Sequence, residues 1–193
     1  FFWMNRKRKD ATEYALTAFN SLKANQHRWI DVLISDAERS ISRLFYDQVF
    51  STGPDKSGFS TVLNGEWGLQ KMCDDHYMAP QSVTKFIMDQ ADILLEDYDY
   101  FLDCFLMCRK THYVTKQQND KLARLTKNTA VLTRDRYKHM GWNLYKDGNP
   151  NHVMTRPELQ VPSYFTDWEL DYQSNGFRAT VVENEVSNLE DFF

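Results

Sequence analysis

Glycine and proline are scarce, 7 and 5 among 193 residues. That shortage disfavours a loop-rich or many-turned β protein, because these two residues supply most tight-turn geometry. Cysteine is limited to three, Cys73, Cys104 and Cys108. An odd number with no paired spacing encodes no disulfide framework, so a reducing compartment, the cytosol, is expected. No run of 18 apolar residues occurs, which excludes a complete membrane span within the sequence. A secretory signal would place an apolar stretch after a basic one, and here the order is reversed. Spacings that announce catalysis or a cofactor are missing too: Gly-x-Ser-x-Gly, a glycine-rich phosphate loop, His-Glu-x-x-His and Cys-x-x-Cys. No cofactor is expected.

What the sequence does contain is apolar mass: 42% hydrophobic and 15% aromatic residues, enough for one domain with a core. Charge is unevenly placed. Arg6, Lys7, Arg8 and Lys9 supply four of the 23 cations, so residues 10–193 hold 19 cations against 27 anions, a net of −8. An acidic body argues against broad binding to nucleic-acid phosphates. Ahead of the cations stand Phe1, Phe2 and Trp3. An interfacial Trp followed by Lys/Arg has the composition of the cytoplasmic end of a membrane span. The expectation is a membrane anchor upstream of residue 1, with the domain on the cytoplasmic face.

Hydropathy periodicity predicts an all-α helical bundle. Asp10-Ala-Thr-Glu13 has the form of a capping box, and Phe19, Leu22, Trp29, Leu33, Ala37, Ile41 and Leu44 recur at mostly helical steps. They predict one long N-terminal helix over 10–51, with a break near Asn25-Gln26 or a restart at a second box, Ser35-Asp-Ala-Glu38. Residues 51–58 read as a surface loop and 60–76 as a short helix. The strongest pattern lies in 81–112. Ile87, Ala91, Leu94, Tyr98, Phe101, Phe105, Cys108 and His112 alternate steps of four and three, which predicts one apolar seam on a single helix. A third box, Thr115 with Gln118, opens a helix over 116–140. That helix carries Leu122, Leu125, Thr129 and Leu132 on one side and Arg124, Lys127, Arg134 and Lys138 on another, and stops at Gly141. The short link at 112–115 predicts an antiparallel helical hairpin. Residues 163–172 suggest a further aromatic helix. The expected organisation is a membrane-proximal segment over 1–9, a bundle over 10–141, an irregular aromatic segment over 142–175 packing on it, and an acidic tail over 176–193.

Three groups of residues are candidates for function. Asp89, Asp92, Glu96, Asp99 and Asp103 repeat at steps of three and four, about 200° round the helix from the seam. They predict an acidic stripe facing a protein partner. Cys104, Cys108 and His112 share a face, but the outer two stand about 12 Å apart along a helix, too far for one zinc. They read as two core thiols and a helix-end histidine, and no metal is expected. The third candidate is Arg134-Asp-Arg-Tyr-Lys-His139.

An Arg, a polar residue after it and a His five positions on resemble the Arg-x4–6-His motif of the HEPN ribonucleases, which are small all-helical domains. The resemblance implies that Arg134 stabilises the scissile phosphate, Asp135 orients, and His139 acts as acid/base without metal. The sequence ends Leu189-Glu-Asp-Phe-Phe193. With its acidic lead it resembles the tails by which replication factors dock on sliding clamps, which implies partner contact through Leu189, Phe192 and Phe193. The function expected first is a membrane-tethered, non-enzymatic domain acting through a protein partner or self-association. The alternatives are a HEPN-like ribonuclease of a toxin or antiviral system, the one reading that involves nucleic acid, and a viral or replication accessory protein.

Overall fold

The computed structural model describes residues 10–128 and 131–175. The fold is α+β, and the all-α expectation is corrected. Helices α1 (Ala11–Asn25), α2 (Ile34–Thr52), α3 (Pro80–Asp89), α4 (Ala91–Leu94), α5 (Tyr98–Cys108), α6 (Lys116–Asn128), α7 (Arg136–Met140) and α8 (Ser163–Asn175) accompany four strands. These are β1 (Asp55–Ser60), β2 (Met72–His76), β3 (Lys110–Thr115) and β4 (Tyr145–Lys146). They form one mixed sheet in the order β2-β3-β1-β4.

Helix α1 begins as expected. Asp10 Oδ1 accepts a hydrogen bond from Thr12 N at 3.0 Å, satisfying a first-turn amide that no helical carbonyl can reach. A short 3-10 stretch, Gln26–Trp29, then breaks the chain before α2. The second predicted box does not form. Helix α2 is capped at Leu33, whose carbonyl accepts from Asp36 N and Ala37 N. The third box does form: Thr115 N donates to Gln118 Oε1 and Gln118 N donates to Thr115 Oγ1, both at 3.0 Å.

The predicted 81–112 helix is three helices and a strand. It breaks at Gln90 and again over residues 95–97, where Asp97 Oδ1 caps α5 through Tyr100 N. The hairpin expected at 112–115 is absent because 110–115 is extended. This segment carries Thr111, Tyr113, Val114 and Thr115, side chains that suit a pleated surface better than a helix. It pairs antiparallel with β2 from Met72↔Thr115 to His76↔Thr111. Residues 60–76, expected as a helix, close β1, pass through a 3-10 stretch at Asn64–Leu69 and form β2. The 116–140 helix is divided into α6, a 3-10 turn at Thr133–Asp135 and α7, and Gly141 ends α7 at φ 68° as expected.

The apolar seam is buried all the same, although several elements share it. Ile87, Leu94, Phe101, Phe105 and Cys108 are fully enclosed. They join Leu22, Ile41 and Phe45 from α1 and α2, and Phe165 and Trp168 from α8, in the main core. Perpendicular ring pairs hold it: Phe19–Phe101 at 5.2 Å, Phe45–Phe105 at 5.5 Å and Phe86–Phe165 at 5.4 Å. Such pairs add about 0.5–1.5 kcal/mol each beyond the area they bury. A second, smaller core lies under the sheet, where Val114 meets Leu122, Tyr137 and Leu144. Alternation along β3 therefore gives the sheet two unlike faces. Asp75, His112 and Val114 face α6 and α7, while Lys56, Asp74, Thr111 and Tyr113 face away.

Candidate functional site

The structure places Arg134 and Asp135 in the 3-10 turn before α7, with Arg134 Nε 3.6 Å from Asp135 Oδ2. His139 is exposed near the end of α7, and among the described residues no hydrogen bond or ion pair joins it to either. The all-helical setting that the ribonuclease resemblance implies is not the one observed. The acidic residues are dispersed. Asp89 accepts from Trp168 Nε1 at 2.8 Å, Asp92 from Gln26 Nε2 at 2.9 Å, and Glu96 pairs with Lys23 at 3.0 Å. Asp99 and Asp103 are exposed on α5. Cys104 and Cys108 sit in the main core, and burial pushes the Cys108 thiol well up. The membrane-proximal residues 1–9 and the tail residues Leu189, Phe192 and Phe193 lie outside the described residues. Among those described, no helix is long and apolar enough to cross a membrane.

Within the ribonuclease-like run, the two residues that the structure uses most are Arg136 and Tyr137. Arg136 is buried and braced on every side. Its Nη2 donates to His76 O at 2.6 Å and lies 3.2 Å from Asp75 Oδ2, and its Nε donates to Thr133 O at 3.2 Å. Tyr137 Oη donates to the same Asp75 carboxylate. A buried ion pair is tolerated only when further hydrogen bonds satisfy both partners, and here they do. Beside it, His112 stacks on Tyr77 at 4.1 Å and meets Tyr137 edge-on at 5.1 Å, with Ser57 Oγ 3.2 Å from Nδ1. Burial, helped by the nearby Arg136 guanidinium, lowers the His112 pKa to about 3. Glu169 of α8 reaches in from the main core. Its carboxylate accepts from Thr133 N at 2.8 Å and Thr133 Oγ1 at 2.7 Å, while burial holds its pKa above the ordinary range. The cavity against His112 and Tyr137 is about 10 Å³, at the limit for a single water. This network is a closed joint between the two cores.

An open site exists on the other face of the sheet. Between Lys56↔Thr111 and Ser60↔Tyr113 the parallel β1–β3 register shifts: β1 advances four residues while β3 advances two. The surplus loops outward as a bulge and leaves a hollow of about 290 Å³. Trp67 and Tyr113 wall it, and Lys56 and Asp74 line its polar side. Trp67 is held rigidly, since Nε1 donates to Val62 O at 3.0 Å and to Ser60 Oγ at 3.2 Å. Two buried oxygens of its lining residues, Thr111 Oγ1 and Asp74 Oδ1, have no hydrogen-bond partner. Each such group costs about 1–3 kcal/mol when left unmade.

A third feature is apolar. The turn from α1 to α2 exposes Ile30 (73%), Val32 (46%), Leu33 (73%) and Ile34 (40%) in succession. Buried Trp29 anchors it on the inner side. Exposed Arg28 precedes it, exposed Asp31 stands within it, and exposed Asp36 follows it, with Oδ1 3.8 Å from Arg39 Nη1.

No protein-family model, curated protein or solved structure matches the chain.

Proposed function

We propose that the chain is a non-enzymatic protein–protein interaction domain, that its contact surface is the α1–α2 turn, and that a second copy of the chain occupies that surface. The observation that carries this reading is the exposed run Ile30, Val32, Leu33 and Ile34. Scattered surface apolars need no explanation, but four within five residues on one turn form a patch of the kind that partners cover. Charge at its rim favours self-association. Arg28 before the run and Asp31 within it present both signs, so two copies related by a two-fold axis can set cation against anion while the apolar centres meet. His112, Tyr137 and Glu169, whose pKa values burial shifts, are locked in the closed joint, which supports a non-catalytic reading.

Sedimentation velocity over a wide concentration range is the test. The wild type is expected to pass from monomer to dimer, and an Ile30→Asp/Leu33→Asp variant to remain monomeric with an unchanged circular dichroism spectrum. A wild type that stays monomeric throughout, or a variant that dimerises equally well, overturns the proposal.

A further inference from the structure

One edge of the sheet is closed and the other is open. Beyond β4, Tyr145 bridges to Val153. Beyond β2, no strand pairs among the described residues. The register with β3 fixes which backbone groups are left over there. Tyr77 N donates to Lys110 O at 3.0 Å and Lys116 N donates to Lys71 O at 2.7 Å, at the two ends of the ladder that sets Cys73 against Val114 and Asp75 against His112. Hydrogen-bonded and non-bonded pairs alternate along an antiparallel ladder. Cys73 and Asp75 therefore turn their N–H and C=O toward β3, and Met72, Asp74 and His76 turn theirs outward. Arg136 Nη2 takes the His76 carbonyl. The other outward groups have no strand to bond among the described residues, and such a row is a template for a further strand.

A hollow flanks this edge on each face of the sheet. One, of about 200 Å³, lies between β2 and the end of α2, where Phe50 is 58% exposed with its ring 5.6 Å from that of His76. The other, of about 310 Å³, lies between β2, the start of α3 and α6, with Ala79, Pro80 and Ala123 as its apolar part. Asp74 and His76 line both. A strand laid along the edge sends alternate side chains into one hollow and the other.

Helix α8 is directed at this edge. Trp168 Nε1 donates to Asp89 Oδ2 at 2.8 Å, and the Tyr172 ring lies 6.0 Å from Lys85 Nζ. Four residues forward on α8 are thus four residues back on α3. The two helices run antiparallel, and α8 ends at Asn175 heading for Pro80, three residues past the end of β2. Only about 7.5 Å of α3 separates Lys85 from Pro80, a distance that three extended residues cover. The sequence beyond α8 continues Phe177-Arg-Ala-Thr-Val-Val182 and closes on three β-branched residues, which suit a strand. Its one charge is Arg178, whereas residues 183–193 carry Glu183, Glu185, Glu190 and Asp191 and no cation. Asp74 on the edge favours the first segment and repels the second.

We propose that residues 177–182 of the same chain add to the open edge of β2 as an antiparallel strand. The segment enters beside His76, leaves beside Met72 and bonds to the outward groups of Met72, Asp74 and His76. Arg178, Thr180 and Val182 take the face of Asp74 and Phe50. Phe177, Ala179 and Val181 take the face of Ala123. The acidic residues 183–193 continue past Met72. This docking is independent of the α1–α2 turn and of the self-association placed there.

Amide hydrogen exchange, read residue by residue by NMR on the full chain, tests the proposal. The wild type is compared with a Thr180→Pro/Val181→Pro variant. Of two adjacent residues in a strand, one turns its N–H toward the neighbour, so the two prolines remove a ladder bond in either register. The Asp74 and His76 amides are expected to exchange roughly tenfold or more faster in the variant than in the wild type. The Cys73 and Asp75 amides, bonded to β3, serve as the reference and are expected to be unchanged, which shows that the rest of the fold is intact. Dilution of the wild type separates the sources of the strand. Protection that is independent of concentration assigns it to the same chain, and protection lost on dilution assigns it to a second copy and overturns the proposal. Equal exchange of Asp74 and His76 in wild type and variant overturns it as well.

Discussion

A histidine stacked on Tyr77 and closed over by Tyr137 is hard to protonate, and this makes stability depend on pH. Unfolded, His112 titrates near 6.5; folded, its pKa is about 3. Above pH 7 both states are neutral. As the pH falls below the unfolded value, the denatured chain takes up a proton that the native state refuses, so stability drops toward pH 3. Between pH 7 and 5 this one group removes about 2 kcal/mol. His76, shifted down mainly by burial, acts in the same direction. Glu169, shifted up by burial, acts against both, because its folded form takes a proton before its unfolded form does. Urea unfolding of His112→Phe at the two pH values isolates the histidine: the variant keeps the ring on Tyr77 and is expected to lose about 2 kcal/mol less than the wild type on going to pH 5. Arg136 makes a different prediction. Arg136→Met strands the Asp75 carboxylate in the core and is expected to cost about 3–5 kcal/mol, and removing both charges recovers part of that loss. Urea midpoints of the single and double variants measure it.

At the scale of elements, the connection out of β4 rests on one turn. Asn149 N donates to Lys146 O at 2.8 Å across Asp147 and Gly148, both with positive φ, the geometry of a tight hairpin turn. A Cβ on Gly148 would stand 2.4 Å from Asn64 N, which donates to Gly148 O at 3.0 Å. Gly141 has a similar φ with open space around it. Thermal unfolding should therefore show Gly141→Ala losing about 1 kcal/mol, from backbone strain alone, and Gly148→Ala losing about 3 kcal/mol or more as the Asn64 contact is forced open. Signals read correctly from the sequence were local ones: the Asp10 cap, the Thr115–Gln118 box and the stop at Gly141 each involve neighbours in the chain. The seam from Ile87 to His112 showed what is buried but not in which element, because His112 falls four residues after Cys108 while belonging to a strand. The alternating β-formers at Thr111, Tyr113 and Val114 held that information. Nothing comparable marks β1, Asp-Lys-Ser-Gly-Phe-Ser, or β2, Met-Cys-Asp-Asp-His; pairing with β3 makes them strands, and pairing is not written in either segment. The hollow beside Trp67 was unreadable for the same reason, since a shift of register between β1 and β3 creates it.

At the scale of the molecule, two apolar cores among the described residues meet at a polar joint. The larger is helical; the smaller lies between the sheet and α6 and α7. Arg136 binds the carbonyls of His76 and Tyr77 where β2 ends, and Glu169 holds Thr133 from α8. Each core therefore depends on the other through charged groups that tolerate little displacement, and the two are expected to unfold together. The parallel pairing of β1 with β3 has a further consequence, for the order in which the chain can assemble as it is made. Helices α1 and α2 can close on each other as soon as they emerge from the ribosome. Asp55 must wait for Lys110, and until then β1 is a finished sequence without a neighbour, a polar strand whose few apolar groups keep it quiet in the interval.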